Sequence, residues 1–449
     1  DRCSELKAER GYLDKKAILE TARAAGVDAI HAGYGFLAER PDFAEACAEA
    51  GIVFVGPPPE FLARMQCKTD ALALARGAGF ATPEFTARAY GPDELPELEA
   101  EAARLGYPLV IKSCVGGRGR GSRLVRSADA FGEAVRWAQA QTQAVYGDNL
   151  VYLEKAIMPA HNLAVQVLGD NFSNLVHLGD RDGSVQRGNQ KLITESPSPA
   201  LTPDRRAQLW EAALALARLF QCHSAASVEF LVDEAGNFYF CEIKPRIQTD
   251  HPVTEMVSGV DIVQEQIRLA AGEPLGYGQD AIRLHGCALQ AVIAAEDPWD
   301  DFLPGPGRLR EVRLPGGPNV RVDTYVYGGC DVPAAYDPII AKLVVWAEDR
   351  PGCVRRLARA LQDFTIVGVP TTLPHLQRIV QEPAFVEGTY TTALLEQPLA
   401  PLEPEDETYL RDLAVAAAIA FARRNLMSEP STPERVGSGW HRSSRRLPE

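Results

Sequence analysis

The sequence predicts a multidomain α/β and α+β protein, and three observations carry that prediction. Helix-spaced and strand-like runs alternate between residues 15 and 58. A glycine-rich loop at 116–121 separates a strand-like run from a helical one. The stretch 228–244, VEFLVDEAGNFYFCEIK, reads as two aromatic-rich strands closed by an AGN turn. With 449 residues, 46% of them apolar and 24% charged, the chain has room for about two to four cores.

In chain order, KKAILETARAA (15–25) has helical apolar spacing, and DAIHAGYG breaks from an apolar run into a turn. DFAEACAEAG then predicts a helix and GIVFVGPPP a strand. This is the grammar of a parallel α/β layer, entered on a helix rather than a strand, so an upstream strand and helix are expected to be missing. A helix is expected over 68–84, then the strand YPLVIKS, the glycine loop, and a helix from about Asp129. NLVYLEKAI, LAVQVLG and NLVHLG read as strands, DRRAQLWEAALALARLF as a helix, then the hairpin, then the helix GVDIVQEQIRLAAG. A strand-rich segment from His285 to Trp346, punctuated by PGPGR and PGGPN, is a candidate third domain. Beyond Leu395 come a Pro- and Glu-rich stretch, a short apolar helix over 410–421 and a polar, mobile tail.

Composition excludes some functions. A formal charge of −14 and a pI near 5.2 argue against sequence-independent binding to nucleic acid or an anionic membrane, both of which need accumulated Lys and Arg. Nine cysteines run from Cys3 to Cys353 without a CxxC or Cys/His cluster, so they are read as reduced, cytoplasmic thiols rather than zinc ligands or disulfides. No apolar run spans a bilayer.

Chemistry concentrates at four places. Gly116, Gly117, Gly119 and Gly121 would let backbone N–H groups approach phosphate oxygens, the alternative being a plain surface loop. The spacing is neither a Walker loop nor a dinucleotide fingerprint. Lys112, in the apolar strand VIKS, needs an anionic partner such as a phosphate unless it lies on the solvent face. Glu229 and Glu242 lie on the two hairpin arms; facing carboxylates repel unless a divalent cation such as Mg2+ sits between them, or unless one is solvated. Residues 242–251, EIKPRIQTDH, crowd ionisable groups into the loop expected after the second arm.

At these residues the chain resembles the biotin carboxylases. HAGYGFLAE (31–39), VIK-x3-GGRGRG from 110, YLEKAI from 152, RDGSVQRGNQK from 181, the hairpin, IQTDHPVTEM from 247, GPGR at 305, GGPNVRVD from 316 and YDPIIAKL from 336 occur in order, covering roughly residues 10–395. The resemblance implies a truncated leading α/β domain (1–66), an ATP-grasp domain (67–265), a C-terminal α/β domain (284–396) and a tail (397–449). It implies an ATP-dependent ligase in which bicarbonate attacks the γ-phosphate, carboxyphosphate forms, and its carbon passes to biotin.

By matching position, Lys68, Lys112, the glycine loop and Gln186 would serve ATP, with Glu154, Lys155 and Ile157 at the adenine end. Glu229 and Glu242 would bind Mg2+ or Mn2+. Lys191, Arg246 and Gln248 would hold bicarbonate; Asp250 stands where the family has a Glu base. Arg321 would stabilise the biotin enolate, with Tyr34 on the same side. A biotin carboxyl carrier protein or domain, a carboxyltransferase and a homodimeric assembly are implied partners, since no Met-Lys-Met acceptor occurs in the chain.

Departures from the family pattern are Val115 and Arg118 in the glycine run, Gly188-Asn189 where the family has Arg-His, Lys244 for an Asn, Asp250 for Glu, and Asn162, Ala164, Val292 and Ala294 near the nucleotide and biotin segments. They imply slow turnover. They also leave two rivals: a degenerate nucleotide-binding paralogue with a structural role, and another ATP-grasp carboxylate ligase.

Overall fold

The computed structural model describes residues 12–114, 121–188, 190–396, 399 and 407–426. Two compact units divide at residue 397.

The first elements follow from their caps. Helix α1 (Lys15–Ala25) starts at Asp14, whose carboxylate accepts from the Ala17 N–H at 3.0 Å, and stops at Gly26 in the left-handed region. Strand β1 (Ala29–Ile30) pairs in parallel with β2 (Val53–Phe54) across α2 (Pro41–Glu49), the expected α/β arrangement. Helix α3 (Pro59–Arg64) leads into α4 (Lys68–Gly77). The helix expected over 68–84 is therefore too long. Gly79 adopts φ +90°, and Pro83 cannot continue a helix; Phe85 already bridges to the strand containing Glu154.

Helix α5 (Leu95–Leu105), β3 (Leu109–Ser113), β4 (Arg123–Val125), α6 (Phe131–Tyr146) and β5 (Val151–Lys155) form a small antiparallel layer of order β4-β3-β5. Leu109, Ile111 and Leu153 pack against Leu98, Phe131 and Val135 of the two helices. Of the glycine loop, Gly121 alone lies within the described residues, at φ +82°; a Cβ there would stand 2.4 Å from Thr142 Cγ2. Gly116, Gly117 and Gly119 lie outside them.

The larger sheet contains β6 (Ala160–Gly169), β7 (Leu175–Arg187), β8 (Gln190–Ser196), β9 (Ser224–Asp233), β10 (Phe238–Lys244) and β11 (Cys287–Ala294), with α7 (Pro203–Leu219) between β8 and β9. Its order is β10-β9-β6-β7-β8-β11, followed by Ile339–Ala347 and Val320–Thr324, every neighbour antiparallel. The strand-rich segment after His285 thus extends the same sheet.

Alternation sorts the two faces. Leu163, Val165, Val228 and Phe230 meet Leu209, Ala213 and Leu216 of α7 on one side. The other side carries α8 (His251–Ser258) and α9 (Ile262–Ala270), with Ile247, Ile262 and Leu269 in its core.

Residues 245–250 form the loop expected after the second arm, and its end turns into helix α8. The strand persists to Lys244, and Pro252 in the first turn with Val253 and Val257 one turn apart starts a helix at His251. The apolar helix expected over 410–421 runs Glu407–Leu426; residues 427–449 lie outside the described ones. Among the described residues no helix is long and apolar enough to cross a membrane.

Candidate active site

A β-bulge builds the centre of the site. Phe240 pairs with Phe230 and Glu242 with Glu229, so the register slips by one residue between them. Without the slip, Phe240, Glu242 and Lys244 would share a face. With it, Ile243 joins Phe240 in the core while Glu242 and Lys244 turn to the opposite face beside Glu229.

The two glutamates are thus cross-strand partners, as expected from the hairpin, and neither is solvated on an open face. Glu242 accepts from Lys244 Nζ at 2.8 Å; Glu229 accepts from Gln248 Nε2 at 2.7 Å and lies 3.7 Å from Lys191 Nζ. Burial pushes the Glu242 carboxyl up, but Lys244 and Lys68 prevail and hold it down at about 2. Hard carboxylate oxygens on adjacent strands fit Mg2+, which takes one or two carboxylates and completes its shell with phosphate and water. Among the described residues no group of three or more acidic, His or Cys side chains is arranged to hold a metal ion on its own, so phosphate would have to supply the remainder.

Next to this pair lies a side chain to which the sequence reading assigned no role. Arg181 of β7 is fully buried and donates to Gln166, Thr254, Ser227 and, at 2.6 Å, Gln248 Oε1. Its Nε stands 3.5 Å from Asp250, which Lys191 reaches at 3.2 Å. Burial opposes ionisation of Asp250, yet Lys191 and then Arg181 hold its carboxyl well below the usual range. Arg246 Nε donates to Glu39 at 2.5 Å, tying the first α/β layer to the site. Charged residues inside a central strand, as in RDGSVQR, and the closing Glu of HAGYGFLAE were the available signals for Arg181 and Glu39.

Lys112 of β3 has an anionic partner, as its apolar strand demanded. Glu154 Oε2 accepts from it at 2.6 Å, while Glu154 Oε1 accepts from Tyr152 at 2.6 Å. Lys155 donates to the carbonyls of Gly106 and Tyr107, both at 2.8 Å, and Ile157 is half-buried just beyond. Lys68 opens α4, its backbone N–H on the Cys114 carbonyl, and the charges acting on it include Glu242, Lys244, Lys112 and Glu39. Gln186 pairs across strands with Lys191. Of the departures, Ala164 is the cross-strand neighbour of both Glu229 and Arg181, Asn162, Val292 and Ala294 lie on β6 and β11, and Asn189 lies outside the described residues.

A second cluster stands on the far strands. Arg321 grips Asp323 through two nitrogens at 2.7 and 2.9 Å and Glu255 of α8 at 2.8 Å. Lys342 reaches Asp323 at 3.2 Å and lies over the Tyr34 ring at 5.6 Å. Helix α8 links the clusters, with Asp250 at its N-cap position and Glu255 in its middle.

The chain matches known families along most of its length. Residues 2–62 match the family described as biotin carboxylase, N-terminal domain, 71–277 the carbamoyl-phosphate synthase L chain, ATP binding domain, and 290–397 the biotin carboxylase C-terminal domain. The biotin carboxylase of Nostoc sp. is 44% identical over 397 residues, 88% of each chain. The biotin carboxylase domain of Hydrogenobacter thermophilus 2-oxoglutarate carboxylase, a dimer solved with MgADP, ADP and bicarbonate, superposes with a TM-score of 0.83 at 39% identity, covering 86% of this chain and 85% of its own. A Campylobacter jejuni biotin carboxylase complex with a β,γ-ATP compound gives 0.82 at 38% identity, covering 87% and 86%. The chain belongs to the biotin carboxylase family, with the ATP-grasp fold at its centre.

Proposed function

We propose that this chain carries out the first half-reaction of a biotin-dependent carboxylase, the ATP- and bicarbonate-dependent carboxylation of biotin. The observation that carries the assignment of roles is the single buried array Glu242–Lys244, Glu229–Gln248–Arg181 and Asp250–Lys191, which sets hard oxygen ligands beside cations and a carboxylate base. Phosphoryl transfer asks for such positioning and charge rather than covalent help. Lys68, Lys112 and the glycine loop would hold the phosphates, and Gln186 would line the same pocket. Glu154, Lys155 and Ile157 would bound the nucleotide's other end; Glu154 is already committed to holding Lys112 upright. Mg2+, or Mn2+, on Glu229 and Glu242 would draw charge from the transferring phosphoryl group.

Arg246 and Gln248 would bind bicarbonate, with Lys191 completing the oxyanion site. Asp250 would take the proton, and two features make it a weak base. Its side chain is one methylene shorter than Glu, and Lys191 and Arg181 hold it ionised. Lys191 and Arg181 are the cations against it, because Lys244 is turned to Glu242. Arg321, held by Glu255 and Asp323, would meet the biotin ring, with Tyr34 beside it. A carrier protein or domain would deliver biotin and a carboxyltransferase would consume its product, with the chain working as a homodimer in the cytoplasm. The degenerate paralogue and the alternative ligase account less well for an array in which the metal-ligand pair, Arg246 and Arg321 are all present.

The deciding experiment is bicarbonate-dependent ATP hydrolysis with and without free biotin. A rate that requires bicarbonate and rises with biotin is expected. ATP binding with no bicarbonate-dependent hydrolysis at any biotin concentration would select the structural paralogue instead.

A further inference from the structure

Two facing carboxylates in a buried site require positive charge beside them: Lys191 lies 3.7 Å from Glu229, and Lys244 supplies the charge at Glu242. The bulge that sets Glu242 beside Glu229 sets Lys244, two residues on, to the same face. Its ammonium donates to Glu242 at 2.8 Å. The side chain is 9% exposed, and the carboxylates acting on it are Glu242, Glu229 and Glu39, in that order. The lysine stem leaves the strand at a position paired with Ser227, and its burial confines the charge to this pocket. An ammonium has three donors: one on Glu242 leaves two for phosphate oxygens.

We propose that Lys244 is a tethered counter-ion for the Glu229–Glu242 pair, so that the site takes up no divalent cation before nucleotide and holds the nucleotide's phosphates with only weak dependence on free Mg2+. The inference rests on the reading that these two glutamates face the phosphates. It assigns Lys244 a binding role distinct from any part in proton transfer: the ammonium bridges Glu242 to phosphate, and Mg2+ arrives with the nucleotide rather than ahead of it. A lysine here is a point charge on a flexible stem, able to shift between carboxylate and phosphate.

Two measurements on the full chain test this. Mn2+ titrated into the protein without nucleotide and followed by electron paramagnetic resonance should stay free. ADP, which cannot turn over, should bind by calorimetry with an affinity that falls less than about threefold when Mg2+ is replaced by EDTA. Lys244→Asn should acquire a Mn2+ site and lose about tenfold or more of its ADP affinity in EDTA, whereas Lys244→Arg should keep the wild-type pattern. Tight Mn2+ binding by the wild type without nucleotide, or an ADP affinity as Mg2+-dependent in wild type as in Lys244→Asn, overturns the proposal. If the Asn variant does not fold, the two wild-type measurements decide alone. Failure of ADP to bind the wild type even with Mg2+ removes the nucleotide-site reading itself, an outcome distinct from strong Mg2+ dependence.

Discussion

The two charged clusters use the same chemistry at different depths. Around Arg181, Asp250 and Glu229 the side chains are almost wholly buried, Arg181 at 0% exposure, and each charge is fixed by several partners. The Arg321 side chain itself is 37% exposed, so water can take over part of its bonding, although its partner Glu255 is as buried as Glu229. The difference teaches that charge in the first cluster is part of the fold, because removing one partner strands the others away from water. Charge in the second is available for function at little structural cost.

The largest effect should come from Arg181→Met, which deprives Gln248, Gln166 and Asp250 of their shared partner. A loss of about 3–5 kcal/mol is expected, read as a lowered urea midpoint at unchanged slope. A loss under about 1 kcal/mol would erase the distinction between the clusters.

Acid should weaken the interior next. Burial holds His177 and His251 down to about 4, His251 with help from Lys342, against about 6.5 for a free histidine. The unfolded chain therefore takes these protons first, and stability falls as pH drops from about 6.5 towards the folded values, by up to about 3 kcal/mol for each histidine. Urea midpoints at pH 7.5 and 5 check this, and His177→Gln should flatten part of the slope.

A smaller effect, on rate rather than stability, belongs to Asp250→Glu. Lengthening the proposed base by one methylene should raise biotin-dependent ATP hydrolysis several-fold, about 1 kcal/mol in barrier. A fall instead would show a site tuned around Asp. Smallest in stability is Arg321→Ala, under about 1 kcal/mol; biotin-stimulated hydrolysis should nevertheless drop about tenfold or more with the KM for ATP unchanged. A structural loss as large as that of Arg181→Met would place both clusters in one class.

The fold was legible wherever local pattern and tertiary environment agree. The hairpin, α1, α7 and α9 stand where their spacing puts them, because amphipathic faces and turn residues encode them directly. Helix α4 was read too long because apolar spacing runs past Gly77 while Gly79 and Pro83 stop the backbone. Helix α8 went unread because it begins where the charged segment 242–251 ends. In the site, Glu229 and Glu242 were visible as a cross-strand pair. The partner of Lys112 was not, since Glu154 comes from a strand 42 residues away. The role of Arg181 depends on Gln248 and Thr254, contacts that exist only once β7 and α8 are packed.

The antiparallel seam between β8 and β11 also sets an order of assembly. Ile193 finds its partner in Ala291, which leaves the ribosome long after β6–β10 have been made. Until then the nucleotide-side strands carry an unpaired edge at β8, a template for pairing with another chain. Long-range closure of this kind is slow. Synthesis of β11 is thus what covers the exposed edge of the sheet bearing Glu229 and Glu242, and truncations between residues 244 and 287 should produce insoluble protein rather than a free-standing half.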